Sequence, residues 1–268
     1  MSVLRVANYV TQVCARRVKT WWIKLYLGLL LLVPAAVLTK TFFAAFSRAA
    51  VERDLWLTEE VWFCGLGVAL WTCWFFGSIW AYGRPEPVRA YVFGHELSHA
   101  VWVWLLGGRV SKIEHSADGG YILTNKSNFW IALAPYFYPI YTFAVIAVFA
   151  IIGIFYDLTS IHATFLWVPA TQWIFLLIGL TWGFHFSFTC WMIPKGQSDL
   201  RSHGTFFSLV VIYLVNLALI SVFLIVADEK ITMRSFAKAL LWNVETFSVW
   251  AASHMTAAFW GCVAWFTN

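Results

Sequence analysis

Six long apolar runs limit what this chain can fold into. A helix needs about 20 mostly apolar residues to cross a hydrocarbon core of roughly 30 Å. Hydrophobic residues make up 61% of the 268 and charged residues only 12%, far from the balance of a soluble domain. The sequence therefore predicts an all-α polytopic membrane protein with about six transmembrane helices, at approximately 23–46, 61–82, 88–106, 129–156, 165–193 and 204–227.

A seventh stretch, 236–266, is apolar enough to span but contains Lys238, Asn243, Glu245 and His254. Such a segment either lies in the interface or packs as a further span within the bundle, and both alternatives remain open. The sequence thus divides into a basic amphipathic segment at 1–22, a membrane-embedded domain at 23–227 and an apolar C-terminal segment at 228–268.

The net charge of +5 comes from basic residues scattered over loops and ends of the chain. A nucleic-acid surface needs those charges gathered into one patch, so nucleic acid is not an expected partner. The lipid bilayer is the expected one, and the cell membrane is the expected location. The five cysteines form no CxxC pair, so neither a disulfide framework nor a cysteine metal site is predicted.

A β-hairpin is predicted between the third and fourth apolar runs, within 107–128. Two glycine pairs punctuate this segment, and the short alternating stretches VSKIEH and YILTN flank the second pair. Alternation on both sides of a glycine turn is typical of two antiparallel strands. The next run opens with Pro135 and Pro139, each of which removes a backbone donor and disturbs the start of the helix.

Residues 93–100, FGHELSHA, place two histidines in HExxH spacing inside the third apolar run. Residues four apart on a helix share a face, so His95 and His99 can hold one ion. Glu96 lies beside them, where it can take a proton from water activated by that ion. A buried hydrogen-bonded cluster or a proton relay is the alternative interpretation of three polar residues in a span.

Two histidines do not complete a catalytic zinc site, which usually has three protein ligands. Asp199, in the turn IPKGQSDLRSHG, is one candidate for the third ligand, although aspartate is also a favoured helix N-cap. His203 follows four residues later as a further ligand or a substrate contact. His185, within a later apolar run, is a candidate ligand or a donor to a ligand.

Three stretches resemble the site-2 protease family of intramembrane zinc metalloproteases. GHELSHA with its following hairpin resembles the first catalytic segment, and IALAPYFYPI resembles the span that follows it. PKGQSDLRSHG resembles the proline-rich turn whose aspartate is the third zinc ligand in that family. The resemblance covers about residues 88–210, the expected core of the domain.

This resemblance implies one Zn²⁺ per chain, held by His95, His99 and Asp199, with Glu96 as the catalytic base. It implies a membrane-protein substrate that is cut within a transmembrane segment. Ser198 and Leu200 flank the aspartate where the family has leucine and glycine, and APYFYP lacks the family's asparagine. Asn125 and Asn128 are the nearest possible substitutes for that asparagine. The chain also has no PDZ-like insertion, which implies a divergent member.

Two other functions were weighed against the sequence. A pseudoprotease or membrane scaffold would retain the metal site without proteolysis. A di-iron oxygenase or desaturase would need many more clustered histidines, and this chain has HxxxH once and HxxHH never.

Overall fold

The computed structural model describes residues 3–51, 56, 58–158, 164–165, 168–228 and 230–267. Most of them are helical. The helices are α1 (Val3–Val51), α2 (Glu59–Tyr82), α3 (Val88–Leu105), α4 (Phe129–Phe137), α5 (Ile140–Phe155), α6 (Ala170–Met192), α7 (Ser198–His203), α8 (Thr205–Ala227) and α9 (Met233–Thr267). The strands are β1 (Val110–His115), β2 (Gly120–Thr124), β3 (Thr164–Phe165) and β4 (Val168–Pro169).

The chain divides into two compact units. The first comprises Met1–Leu55 and Tyr213–Asn268, and the second comprises Trp56–Ile212. Inside the first unit α1 packs against α9, and the Asn243 side chain donates a hydrogen bond to Thr41 Oγ1 at 3.0 Å. The second unit contains every residue that the sequence places at the candidate site.

Four helices in the described part of the chain are long and apolar enough to cross a membrane: Trp21–Val51 of α1, α2, Ala170–Lys195 and α8. The count rises to five if α4 and α5 together form one span. The prediction of an integral membrane helical protein agrees with this result. The prediction of six or seven spans is not confirmed, because α3 and α9 are long enough but not apolar enough to be counted as spans.

The predicted span 129–156 is broken in two. α4 and α5 meet at an angle of 76°. Tyr138 at the break is extended, with φ −107° and ψ 95°, as expected for a residue before proline. Pro139 is then the N-cap of α5 and has no N–H with which to continue the earlier helix. The sequence anticipated a disturbance here but not a separate nine-residue helix.

The central contact of the second unit is the crossing of α2 and α6. Gly67 of α2 lies against the carbonyl of Leu176, and Gly179 of α6 lies against the carbonyl of Cys64. A Cβ at either glycine would collide with the opposing backbone, so the two helices touch main chain to main chain. Small residues permit this close approach in membrane helices, where packing replaces the hydrophobic effect as the main source of association.

An aromatic core surrounds that crossing and joins α3 to it. Trp71 of α2 lies edge-on to Phe184 of α6 with ring centroids 4.9 Å apart, and its indole N–H donates to Ser187 Oγ at 2.8 Å. Tyr91 of α3 stacks on Phe188 of α6 at 4.7 Å. These contacts hold α3, the helix with the HExxH residues, against the pair α2 and α6.

The predicted hairpin is confirmed. β1 and β2 are antiparallel, with His115 opposite Gly120 and Ile113 opposite Ile122. The second glycine pair forms the turn, where Ser116 N donates to Gly119 O at 2.9 Å. The hairpin packs on α3.

Candidate metal centre

Helix α3 brings the two histidines of the HExxH sequence together. The rings of His95 and His99 lie on one face, with centroids 4.9 Å apart. His99 is 8% exposed and Glu96 is 6% exposed, so the polar face of α3 is directed into the protein. A group this costly to bury needs a partner, and each histidine has one from a distant part of the chain.

That partner is Asp199. After α6 a 3₁₀ turn at Ile193–Lys195 and Gly196, with φ +78°, lead into the short helix α7. Asp199 lies in its first turn, whereas Gln197 occupies the N-cap, so the N-cap interpretation of the aspartate is wrong. Asp199 Oδ2 lies 3.3 Å from His95 Nε2 and 3.5 Å from His99 Nε2.

The three side chains fit a metal ion. Their ligand atoms all lie within 4.8 Å of one another. Metal–ligand bonds of about 2.0–2.2 Å in a tetrahedral site place neighbouring ligand atoms about 3.3–3.6 Å apart, a range that includes both distances to Asp199. Histidine nitrogens and a carboxylate oxygen are also ordinary donors for such an ion. The group His95, His99 and Asp199 could therefore hold a metal ion, as the sequence predicted.

The orientation of His99 supports the same interpretation. Its Nδ1 is 2.7 Å from the carbonyl oxygen of Ile131 in α4, to which Nδ1–H donates. The other ring nitrogen, Nε2, faces Asp199. Metal-binding histidines commonly donate their second nitrogen to a carbonyl or carboxylate, which fixes the ring and its tautomer.

His95 and His99 stabilise the negative charge of the Asp199 carboxylate. Burial alone would raise the pKa of its carboxyl, but the hydrogen bonds and positive potential of His95 and His99 outweigh that effect and hold the pKa below its usual range. The carboxylate form is the one that binds a metal ion.

Tyr136 is a site residue that the sequence analysis missed. It is fully buried in α4, and its hydroxyl donates to Asp199 Oδ2 at 3.3 Å. Its ring also lies edge-on to His95, with centroids 5.4 Å apart. No spacing in the sequence links a tyrosine in APYFYP to the aspartate 63 positions later, and the break between α4 and α5 is what leaves it beside the site.

Glu96 lies close to the three candidate ligands without joining them. Its carboxylate interacts electrostatically with His99 and Asp199, but it is not part of the group of ligand atoms within 4.8 Å. On its other side it meets the start of β2 at Gly120. Glu96 is thus placed as a neighbour of the ion site and not as a ligand.

His185 is not part of the group of converging ligand atoms. It is 8% exposed in α6, and it lines a small cavity together with His95, Tyr91 and Phe184. His95 Nδ1 and His185 Nε2 are both buried without a hydrogen-bond partner among the described residues. The two histidines thus line one cavity, and a supporting role of His185 toward a ligand stays a prediction.

The remaining predicted residues have local contacts. His203 ends α7 and lies edge-on to Phe129, with ring centroids 5.7 Å apart. Asn125 Oδ1 accepts from Arg109 N at 2.7 Å and closes the base of the hairpin. Asn128 is the N-cap of α4 and accepts from Ile131 N at 2.9 Å. Any contact of these three with a substrate stays a prediction.

No family model, no curated protein and no solved structure matches this chain. The fold and the site geometry therefore carry the functional argument.

Proposed function

We propose that this protein is an intramembrane zinc metalloendopeptidase of the site-2 protease type, which cleaves transmembrane segments of other membrane proteins. One observation carries the proposal. Asp199, 104 positions from His95, meets both histidines of an HExxH sequence, and the intervening Glu96 is buried on the same helix.

Each residue has a distinct part in this mechanism. His95, His99 and Asp199 would hold the ion, and Ile131 O and the Tyr136 hydroxyl would hold two of those ligands in place. Zinc, when bound, supplies Lewis acidity and lowers the pKa of water to about 7. Glu96 takes a proton from the attacking water and later returns it to the leaving amine.

Water access to the site is compatible with this chemistry. The side chain of Asp199 is 24% exposed, whereas those of His95 and His99 are each 10% exposed. α7 thus forms the open side of the site, and α3 forms the buried side. A peptide bond can meet activated water there while most of the reacting groups remain shielded.

A transmembrane substrate must unwind before it is cut, because intrahelical hydrogen bonds shield its peptide bonds. The hairpin next to α3 offers exposed strands, and Tyr121 and Leu123 of β2 are 46% and 49% exposed. An unwound segment could pair with a strand edge by β-addition. In this proposal the hairpin holds the substrate in extended form beside Glu96.

Two measurements on the purified full-length protein test the proposal. Metal analysis is expected to find about one zinc per chain, whereas two irons per chain would support an oxygenase. The variant Glu96→Gln is expected to retain zinc and to lose cleavage by a factor of about 10²–10⁴, the usual contribution of a general base.

Cleavage can be followed without knowing the substrate in advance. Membrane fractions of cells that produce the wild type or Glu96→Gln are compared by quantitative mass spectrometry for peptides ending within transmembrane segments. Fragments that depend on Glu96 support the protease. Zinc binding with identical fragments in both cells would instead support a metal-binding scaffold without proteolytic activity.

A further inference from the structure

Gly120, the first residue of β2, lies directly against the side chain of Glu96. A Cβ built on Gly120 would lie 2.7 Å from Glu96 Cγ and 3.0 Å from Glu96 Oε1. It would also lie 2.7 Å from the carbonyl oxygen of Glu114 on the opposite strand. Carbon atoms in ordinary contact are about 3.5–4.0 Å apart, so no side chain fits at this position without moving Glu96 or the hairpin.

The hairpin is held in this position by its own contacts. Its register sets His115 opposite Gly120, and the ring of His115 lies 5.0 Å from the ring of Phe93 on α3. Phe93 precedes Glu96 by less than one helical turn. Through His115 and Phe93 the Gly120 backbone is therefore held against α3, the helix that carries Glu96.

We propose that Gly120 is a positioning residue for Glu96. Because Gly120 has no side chain, the main chain at the start of β2 contacts the Glu96 side chain directly and determines the position of its carboxylate. The catalytic consequence rests on the proposed function, in which Glu96 is the base. The contact itself does not depend on that function. The hairpin would then have a second function besides holding a substrate, because its packing on α3 determines the position of Glu96.

A cysteine pair tests the contact without any assay of activity. In a background with the five native cysteines replaced by alanine, Glu96→Cys and Gly120→Cys are combined. The two Cβ atoms would lie at most about 4.2 Å apart, the 2.7 Å contact plus one C–C bond of about 1.5 Å. A disulfide needs about 3.5–4.5 Å between Cβ atoms, so mild oxidation is expected to cross-link the pair.

Tyr121 provides the matched control for the cross-link. It follows Gly120 in β2, so its side chain leaves the opposite face of the strand, and it is 46% exposed. Glu96→Cys with Tyr121→Cys is expected to remain reduced under the same conditions. Equal cross-linking of both pairs, or none for Gly120→Cys, would overturn the proposed contact.

The variant Gly120→Ala tests positioning in the otherwise native protein. We expect zinc content to stay at the wild-type level, because none of the three candidate ligands is touched, while Glu96-dependent cleavage falls about a hundredfold, as for a base misplaced by about 1 Å. Gly77→Ala on α2, where a Cβ meets nothing within 4 Å, is expected to change neither. Wild-type cleavage by a zinc-loaded Gly120→Ala would contradict the positioning role.

A double-mutant cycle measured by thermal unfolding separates the clash of a Gly120 Cβ with Glu96 from its clash with Glu114 O. If the clash with Glu96 dominates, Gly120→Ala lowers the unfolding midpoint less in a Glu96→Ala background than in the wild type. An equal drop in both backgrounds would assign the clash to Glu114 O alone and overturn the proposal. This cycle and the cross-link decide the matter even if the wild type cleaves nothing.

Discussion

Helices α3 and α9 are both apolar helices that carry several polar residues, yet the structure treats those residues in opposite ways. On α3 the side chains of Glu96 and His99 are buried, and His99 has partners on α4 and α7. On α9 Glu245 and His254 are exposed. His254 Nδ1 contacts only Trp250 O of its own helix and the adjacent Ser253 among the bonds seen, at 2.8 and 3.3 Å.

The difference shows what turns a polar residue in an apolar helix into a candidate site. Burial forces each polar group to find a partner or to bear a cost of several kcal/mol. On α3 those partners come from several elements far away in the sequence. On α9 His254 bonds within its own helix, and Asn243 reaches a single residue, Thr41 of α1. Convergence from several elements, and not polarity inside an apolar run, is therefore the informative property.

The largest effect is expected from removing the Asp199 carboxylate, which meets both histidines of α3. Asp199→Ala deletes one of three candidate ligands, so we expect zinc affinity to fall more than about a hundredfold, beyond the usual loss from an outer contact. Isothermal titration with a competing chelator measures this change. Asp118→Ala, in the exposed hairpin turn, is the control and should bind zinc like the wild type. Unchanged affinity in Asp199→Ala would make His185 or His203 the better third ligand.

A smaller effect is expected from the contact behind Asp199. Tyr136→Phe removes the hydroxyl that donates to Asp199 Oδ2 but keeps the buried ring, so zinc affinity should fall about tenfold. Tyr138→Phe is a suitable control, since its ring stacks on Phe143 at 4.6 Å and lies at the end of α4. Equal affinities of Tyr136→Phe and the wild type would show that the hydroxyl does not support the ligand.

The smallest effect should come from α9. His254→Leu and Glu245→Gln replace exposed groups, so we expect changes in unfolding free energy within about 0.5 kcal/mol and no change in zinc content. Chemical denaturation in detergent and metal analysis check both variants. A loss of zinc in either variant would show that α9 takes part in the site and would erase the contrast with α3.

Much of the candidate site could be predicted from local spacing. HExxH places His95 and His99 on one face because of helix geometry. The glycine pair between VSKIEH and YILTN likewise predicts the hairpin from local sequence. Asp199 was recognised from its turn, although only the fold shows that its carboxylate reaches the histidines. Tyr136 and Gly120 escaped prediction because their roles depend on tertiary contacts that have no sequence period.

The number of spans was harder to predict for a related reason. Apolar content marks a segment that avoids water, but protein burial and lipid satisfy that preference equally well. α3 is apolar because it packs against the aromatic core of Phe184 and Phe188. Its polar face lowers the mean hydropathy of the helix. The run 129–156 was read as one helix because composition does not show which of its two prolines ends a helix.

The short helix α4 has one more consequence. Its nine residues end at the 76° bend, and from opposite ends they supply the Ile131 carbonyl to His99 and the Tyr136 hydroxyl to Asp199. The candidate ligands His99 and Asp199 belong to different helices, yet both form hydrogen bonds with α4. A tilt of α4 would disturb both contacts at once, so the affinity of this group for an ion would report strain on the helix.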